Sequence, residues 1–484
     1  MRRAFFVVVA ATVLVVTTGT TAGAQAQSRD EAAPRRTDAA PTSRQLPTSS
    51  PFLGGVPSGT ATAEPIALTV LEAIRRALEH NLGVLMSDDS IGRARGARMR
   101  AMSEWLPNVS GRLSESRQVL NLAAYGFPLP AGIPSIVGPF NLFDARLYVS
   151  QTVFDQRALK DLQVENHNIS AATFTAKSAR DTVVLVAANA YLVALAASAR
   201  VDSARAQATT AEALYSQATN LKQNGLVAGI DVLRAEVALN TERQHVTATV
   251  NDFEKSKLQL ARIIGLPLGQ PFTLVSELPD VPIPDLTIEE ALDRAYRARP
   301  DYQAALARVA AAQAQRDATA GEAMPSVRVN ADYGELGLTP GSAHSTYAIV
   351  GALNVPIFQG GRTRGRVTEA EADLKSRRAE AEDLRASIYY DVRTAFMDLQ
   401  SSNEQLQVAT RGREVAATAL TQARDRFAAG VSNNVEVIQA QAAVSIASEQ
   451  YIGALYQYNV SKALLARGLG AAEDVVRQLL GGAR

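Results

Sequence analysis

The side chains that could carry covalent or metal chemistry are few and scattered in this chain. There is no cysteine among its 484 residues, which removes disulfides, thiolate zinc sites, thiol nucleophiles and a lipid anchor on an N-terminal cysteine. The histidines, His80, His167, His245 and His344, lie far apart, and no two have the H-x-x-x-H spacing of a helical metal site. They read as ordinary surface or interface residues. With no nucleophile–base constellation, phosphate loop or ligand spacing, the expectation is a protein that is not an enzyme and uses no cofactor or metal. Two carboxylates remain. Asp231 and Glu436 each stand six residues after a glycine that closes a long helical run. An acid there suits the positive end of a helix dipole. In several copies around an axis, the same acids would form a constriction that attracts cations.

Those two positions correspond because the chain is written twice. Leu68-Thr69-Val70-Leu71-Glu72-Ala73-Ile74 matches Leu286-Thr287-Ile288-Glu289-Glu290-Ala291-Leu292. At the same offset, Trp105-Leu106-Pro107-Asn108-Val109 matches Ala323-Met324-Pro325-Ser326-Val327. Beyond a longer first loop near 121–140, Ala190-Tyr191 matches Ala395-Phe396, and Gly225-Leu226 matches Gly430-Val431. Val232-Leu233-x-Ala235 matches Val437-Ile438-x-Ala440, and Leu260-Ala261-Arg262 with Gly265 matches Leu465-Ala466-Arg467 with Gly470.

Each half is expected to run short helix, helix, strand, strand, very long helix, turn, medium helix. In the first repeat, 66–265, helices are expected at 82–104, 157–224 and 231–264, with strands at about 107–120 and 142–155. In the second, 286–470, helices are expected at 300–323, 362–429 and 434–467, with strands at about 325–336 and 346–358. Residues 157–224 contain neither Pro nor Gly and are rich in Ala, a strongly helical mixture. Such a run is roughly 100 Å long, and the two shorter helices, at roughly 35 and 50 Å, nearly match it end to end. That is a wall of one long helix beside two short ones. The helices alone fit a plain antiparallel coiled coil equally well. The apolar stretch Thr182–Ala197 resembles a bilayer span, but its twin Ser387–Ser402 carries Asp391, Arg393, Asp398 and Gln400, which argues for a buried helix contact.

The strand regions alternate. Val327, Val329, Ala331 and Tyr333 alternate with Ser326, Arg328, Asn330 and Asp332, and Phe143, Ala145, Leu147 and Val149 with Asp144, Arg146, Tyr148 and Ser150. Period two gives a sheet with one apolar face. About ten residues is the length of a membrane strand. Four strands cannot close a barrel, and open edges are not tolerated in lipid, so copies must complete it. A small soluble sandwich with helical appendages is the alternative. Trp105, at a helix-to-strand junction, suits either a bilayer interface or simple packing.

The N-terminus reads as a secretory signal, residues 1–26, with Arg2 and Arg3 before the apolar run Phe5–Val16. Without Arg2 and Arg3, 49 basic against 48 acidic residues becomes 47 against 48, which leaves no electrostatic footprint for nucleic acid. Residues 27–65, rich in Pro, Ser, Thr and Ala, are expected to be a flexible N-terminal segment. Residues 266–285 form a Pro-rich connector, and 471–484 a C-terminal tail.

In this order the chain resembles the outer-membrane efflux protein family, the TolC-like channel-tunnels, over about Leu68 to Gly470. Four signatures carry the resemblance. They are the repeated Leu-Thr-x-x-Glu-Ala opening, Pro107 and Pro325, the run Val355-Pro356-Ile357-Phe358-Gln359-Gly360-Gly361 echoed by Thr152-Val153-Phe154-Asp155, and the turn pair around Gly225 and Gly430. The resemblance implies a mixed α and β membrane protein. Its trimeric outer-membrane β-barrel, four strands per chain, would continue into a long periplasmic α-helical barrel. It implies an exit duct of a tripartite efflux or type I secretion system, with a periplasmic adaptor and an inner-membrane transporter as partners. It assigns adaptor docking to the tips Gly225, Leu226, Val227, Gly430, Val431 and Ser432. It adds Gln439, beside Glu436 and Asp231, to the candidate periplasmic gate, although Gln439 is not acidic. The alternative from another class is a secreted trimeric coiled-coil structural protein or adhesin.

Overall fold

The repeated Leu-Thr-x-x-Glu-Ala motif is a pair of helix starts. In a computed structural model that describes residues 50–126, 134–225, 227–275, 286–432, 434–470 and 472, Thr69 caps helix α1 (Val70–His80) and Thr287 caps α5 (Ile288–Ala298). Glu72 N donates to the Thr69 hydroxyl at 3.2 Å, and Thr69 N donates to the Glu72 carboxylate at 3.2 Å. Thr287 and Glu290 repeat the exchange at 3.3 and 3.1 Å. Each capping box satisfies two main-chain donors that a helix start would leave bare. The signal segment 1–26 lies outside the described residues, as do 276–285 of the connector and nearly all of the tail.

The remaining elements follow in matched sizes. Helix α2 (Leu82–Ser103) and α6 (Pro300–Gly321) have 22 residues each. The rods α3 (Gln156–Gln223) and α7 (Arg362–Ala428) have 68 and 67. Helix α4 (Gly229–Ile263) and α8 (Asn434–Gly468) have 35 each. Asp155 fixes the start of α3, its carboxylate accepting from Arg157 N at 2.9 Å and Ala158 N at 3.2 Å. The helices lie side by side. Rod α3 contacts α2 and α6 along one half of its length and α4 and α8 along the other, while α7 contacts α6 and α8. Residues 70–468 therefore form a wall four helices wide, in which each rod faces short helices stacked end to end.

The core sits where the short helices meet. Leu68, Ala73, Ile74 and Ala77 pack against Val183, Val184, Ala187, Tyr191 and Leu192 of α3 and Leu260 and Ile263 of α4, all fully or almost fully buried. The Tyr191 hydroxyl donates to Leu68 O at 3.0 Å. The apolar stretch Thr182–Ala197 is thus the core-facing part of α3. Small strands β1 (Ile66–Leu68) and β4 (Phe272–Leu274) pair in parallel beside it.

The N-terminal segment departs from the sequence expectation at residues 50–65. This stretch is docked rather than free. Val56 N donates to His80 O at 2.8 Å, Leu82 N to Gly54 O at 3.0 Å, Ser58 N to Gly265 O at 3.2 Å and Thr62 N to Gln270 Oε1 at 2.7 Å. Fully buried Asn81 donates from its side chain to Phe52 O at 2.9 Å and Ile263 O at 3.3 Å, and accepts from Gly83 N at 2.9 Å. The Phe52 ring occupies the space that a side chain at Gly83 would need. The second repeat fills the same junction differently. Arg299, in the place of Asn81, meets Asp301 at 2.7 Å and Asp391 at 3.0 Å.

Strands β2 (Asn108–Asn121), β3 (Ile136–Phe154), β5 (Ser326–Gly337) and β6 (His344–Asn354) form one antiparallel sheet in that order. Strand β3 begins before the expected 142, because β2 continues to pair with it as far as Asn121↔Ile136 past a register shift. Strand β6 ends at Asn354 rather than 358. Pro356 has no N–H to give a ladder, and Ile357 and Phe358 leave it 94% and 88% exposed. One face carries Leu113, Leu147, Tyr333, Tyr347, Ile349 and Leu353, all exposed. On the other, Arg146 bridges Asp144 at 3.2 Å, Asp332, and Thr346 at 3.0 Å. Gly334 leaves room for this crossing, since a side chain there would collide with Ala145 O and Arg146. Among the described residues, edges β2 and β6 are unpaired.

Candidate functional site

The two helix turns at the far end of the rods are built alike. Gly225 and Gly430 follow the last turn of α3 and α7 with φ of 74° and 71°, a conformation that strains any residue with a Cβ. At the second turn Gly430 N donates to Phe427 O at 3.0 Å and Val431 N to Arg426 O at 2.9 Å. This double bond pattern closes the orphan carbonyls of a helix end. A Cβ built on either glycine would meet nothing within 4 Å. These glycines are needed for backbone geometry, and they leave each tip bare.

The other tip residues are placed as follows. Val227 is half-buried, Val431 is 70% exposed, and Ser432 is half-buried with its hydroxyl out of solvent. Leu226 lies outside the described residues. Asp231 sits in the first turn of α4 and Glu436 in the first turn of α8. Neither carboxylate stands without a counter-charge. Arg234 Nη1 lies 3.3 Å from Asp231 Oδ1, and Arg426 Nε lies 3.5 Å from Glu436 Oε1. Gln439 is exposed, one turn further along α8.

The fold joins the two tips. Asn434, almost fully buried at the start of α8, donates from its side-chain amide to Asp231 O at 3.1 Å. Two turns on, buried Gln441 donates to Gln207 O of α3 at 3.0 Å. Beneath them Leu214, Leu420, Phe427 and Val437 pack into one apolar cluster that spans α3, α7 and α8. A second cluster of Ala218, Val232 and Ala235 closes the first tip. Between α4 and α8 runs a groove of about 690 Å³ whose walls include Ile230, Leu233, Val237, Ile438 and Gln439. Ile230, Leu233 and Val237 are all more than half exposed. Their spacing along α4 puts them on one helix face, a signal visible in the sequence that the tip glycines overshadowed.

The other candidate residues do not converge. His80 lies 3.8 Å from Glu79 and His245 lies 3.7 Å from Glu242, each a local pair on its own helix. Trp105 is half-buried at the α2–β2 junction, with its indole N–H turned inward and its carbonyl accepting from Gln151 Nε2 at 2.6 Å. Among the described residues of the tips, the groove and the sheet, no nucleophile stands beside a base.

Comparison with known proteins agrees with this geometry. A family model described as outer membrane efflux protein matches residues 73–266 and 291–471, one block in each repeat. The pyoverdine export outer membrane protein OpmQ of Pseudomonas putida is 24% identical over 367 residues, covering 74% of this chain and 77% of its own length. The outer membrane protein TolC of Escherichia coli K12 is 23% identical over 355 residues, 69% of this chain and 70% of its own. Among solved structures, the outer-membrane channel OprN superposes with a TM-score of 0.70 at 21% identity, over 84% of this chain and 90% of that one.

Proposed function

The chain belongs to the outer membrane efflux protein family, and on that premise we propose that three copies build one duct, each giving four strands to a twelve-stranded barrel and four helix-widths to a periplasmic cylinder. The protein resides in the outer membrane, extends into the periplasm, serves export and has no catalytic role. The observation that carries the assembly from several copies is the sheet. Its apolar face is exposed, and among the described residues both of its edges are open in one chain. Lipid accepts the first and forbids the second, so copies of the chain must pair β6 with β2.

Inner-membrane machinery supplies the energy and this duct supplies the exit. The bare tips around Gly225 and Gly430, with the groove between α4 and α8, suit the helical hairpins of a periplasmic adaptor, because small residues let a partner backbone approach. Asp231, Glu436 and Gln439 line the narrow end. With Arg234 and Arg426 beside the carboxylates, the constriction is a set of ion pairs that can be opened. The secreted coiled-coil alternative gives no role to the exposed apolar sheet face.

The test is a photo-crosslinking residue at Ser432 in intact cells, with mass spectrometry of what it captures. Capture of a periplasmic adaptor supports docking at the tips. Capture of nothing but this chain, under conditions that induce export, overturns it.

A further inference from the structure

The two faces of the four-stranded sheet differ in charge. The polar face carries Arg112, Arg146 and Arg328 against Asp144 and Asp332, and the apolar face carries Glu115 and Glu335 against Arg117. Both polar-face carboxylates are taken by one arginine, since Arg146 binds Asp144 and Asp332 together. Arg112 stands directly opposite Arg146 on the neighbouring strand, and Arg328 opposite Thr152. Both are exposed, and among the described residues neither makes an ion pair.

Closing the sheet with other copies does not neutralise these two arginines. The edge that must meet β2 of the next copy is β6, and His344–Asn354 contains no carboxylate. Neither connecting stretch, 122–135 or 338–343, contains an acid. This holds whatever the register between copies. Each copy therefore brings one more positive than negative charge to the inward face. Low-dielectric walls of one sign focus the field along a pore and raise the local concentration of the opposite ion.

We propose that Arg112 and Arg328 form a basic band inside the barrel, which makes this section of the duct a filter favouring anionic solutes, those bearing carboxylate, phosphate or sulfonate groups. The inference rests on the duct reading and names its substrate class.

The experiment uses the purified full-length protein in planar bilayers under a KCl gradient, reading the reversal potential of wild type, Arg112→Gln, Arg328→Gln and the double variant. Migration as a heat-sensitive oligomer on gels verifies assembly, and Arg112→Lys keeps the charge. The expected result is a chloride-preferring wild type, a stepwise loss of that preference through the single and double Gln variants, and its retention in Arg112→Lys. Channels of normal conductance whose reversal potential ignores these substitutions overturn the basic filter and leave the duct standing. An assembled oligomer that stays non-conducting even with the constriction loosened by Glu436→Gln together with Arg426→Gln overturns the duct reading itself.

Discussion

The side-chain amide of Asn434 lies 3.1 Å from the main-chain oxygen of Asp231, across 203 residues of sequence. It ties the first turn of α8 to the first turn of α4, at the end where the candidate constriction sits. Because Asn434 is almost fully buried, the bond is shielded from water, while the Asp231 carbonyl also has its place in the ladder of α4. Losing the bond costs about 0.5–1.5 kcal/mol. Asn434→Ala should loosen both tips without unfolding the rods. Hydrogen exchange should rise in 227–235 and 434–441 and stay unchanged around Tyr191. Unaltered exchange at the tips would show that the apolar clusters alone hold them together.

Glu436 tests the constriction. Its carboxylate is partnered by Arg426, so the two substitutions should act in opposite directions on one recording. Glu436→Gln should lower potassium permeability relative to chloride, and Arg426→Gln should raise it. A ratio unchanged by both would place these residues away from the conduction path.

Acidification should strike the second repeat first. Burial pushes the Asp301 carboxyl up, but the hydrogen bonds and charge of Arg299 and the Tyr302 N–H outweigh it, and the group titrates below its ordinary value. The main-chain N–H and hydroxyl of Thr287 hold Glu290 below its own. Both folded values lie under the unfolded ones, so their stabilisation is present above the ordinary carboxylate range of about 4. It is lost as pH falls from there through the lower folded values. Asp301→Asn leaves the Arg299 guanidinium, 9% exposed, with only Asp391, a cost of about 1–3 kcal/mol. It should also flatten the acid limb of the unfolding curve. An acid midpoint identical to wild type would contradict this assignment.

The docked N-terminal segment makes a steric prediction. Gly83→Ala puts a methyl group where the Phe52 ring sits, and Phe52→Ala empties the same seat. Limited proteolysis should cut 50–62 rapidly in both variants and slowly in wild type. Equal protection in all three would mean that the main-chain bonds to His80, Gly54 and Gly265 are enough.

What the sequence made legible is what repeats locally. The repeated Leu-Thr-x-x-Glu-Ala motif opens α1 and α5, because Thr69 with Glu72 and Thr287 with Glu290 each lie within one helical turn. Residues 157–224 hold no Pro or Gly, and the rod Gln156–Gln223 occupies nearly the same span. The less legible features are ties between distant segments. Asn434 with Asp231, Asn81 with Phe52 and Ile263, and Arg299 with Asp391 leave no periodic trace. Composition also misled at residues 50–65, where Pro, Ser and Thr suggested a free segment although the main chain pairs with helix ends. Glu436 read as a bare carboxylate because Arg426 stands on the opposite arm of the turn. At β6 the alternation continued past Pro356, whose missing N–H ends the ladder first.

The most direct test of the trimeric barrel uses the absence of cysteine in the chain. One cysteine at Ser110→Cys on β2 is combined with single cysteines stepped along β6, and outer membranes are oxidised. Only side chains directly opposed, with Cβ atoms roughly 3.5–4.5 Å apart, can bridge. A barrel closed by three chains gives bands at two and three chains and no higher, from one narrow set of β6 positions. Monomer alone at every position, or a ladder running past three, would contradict it.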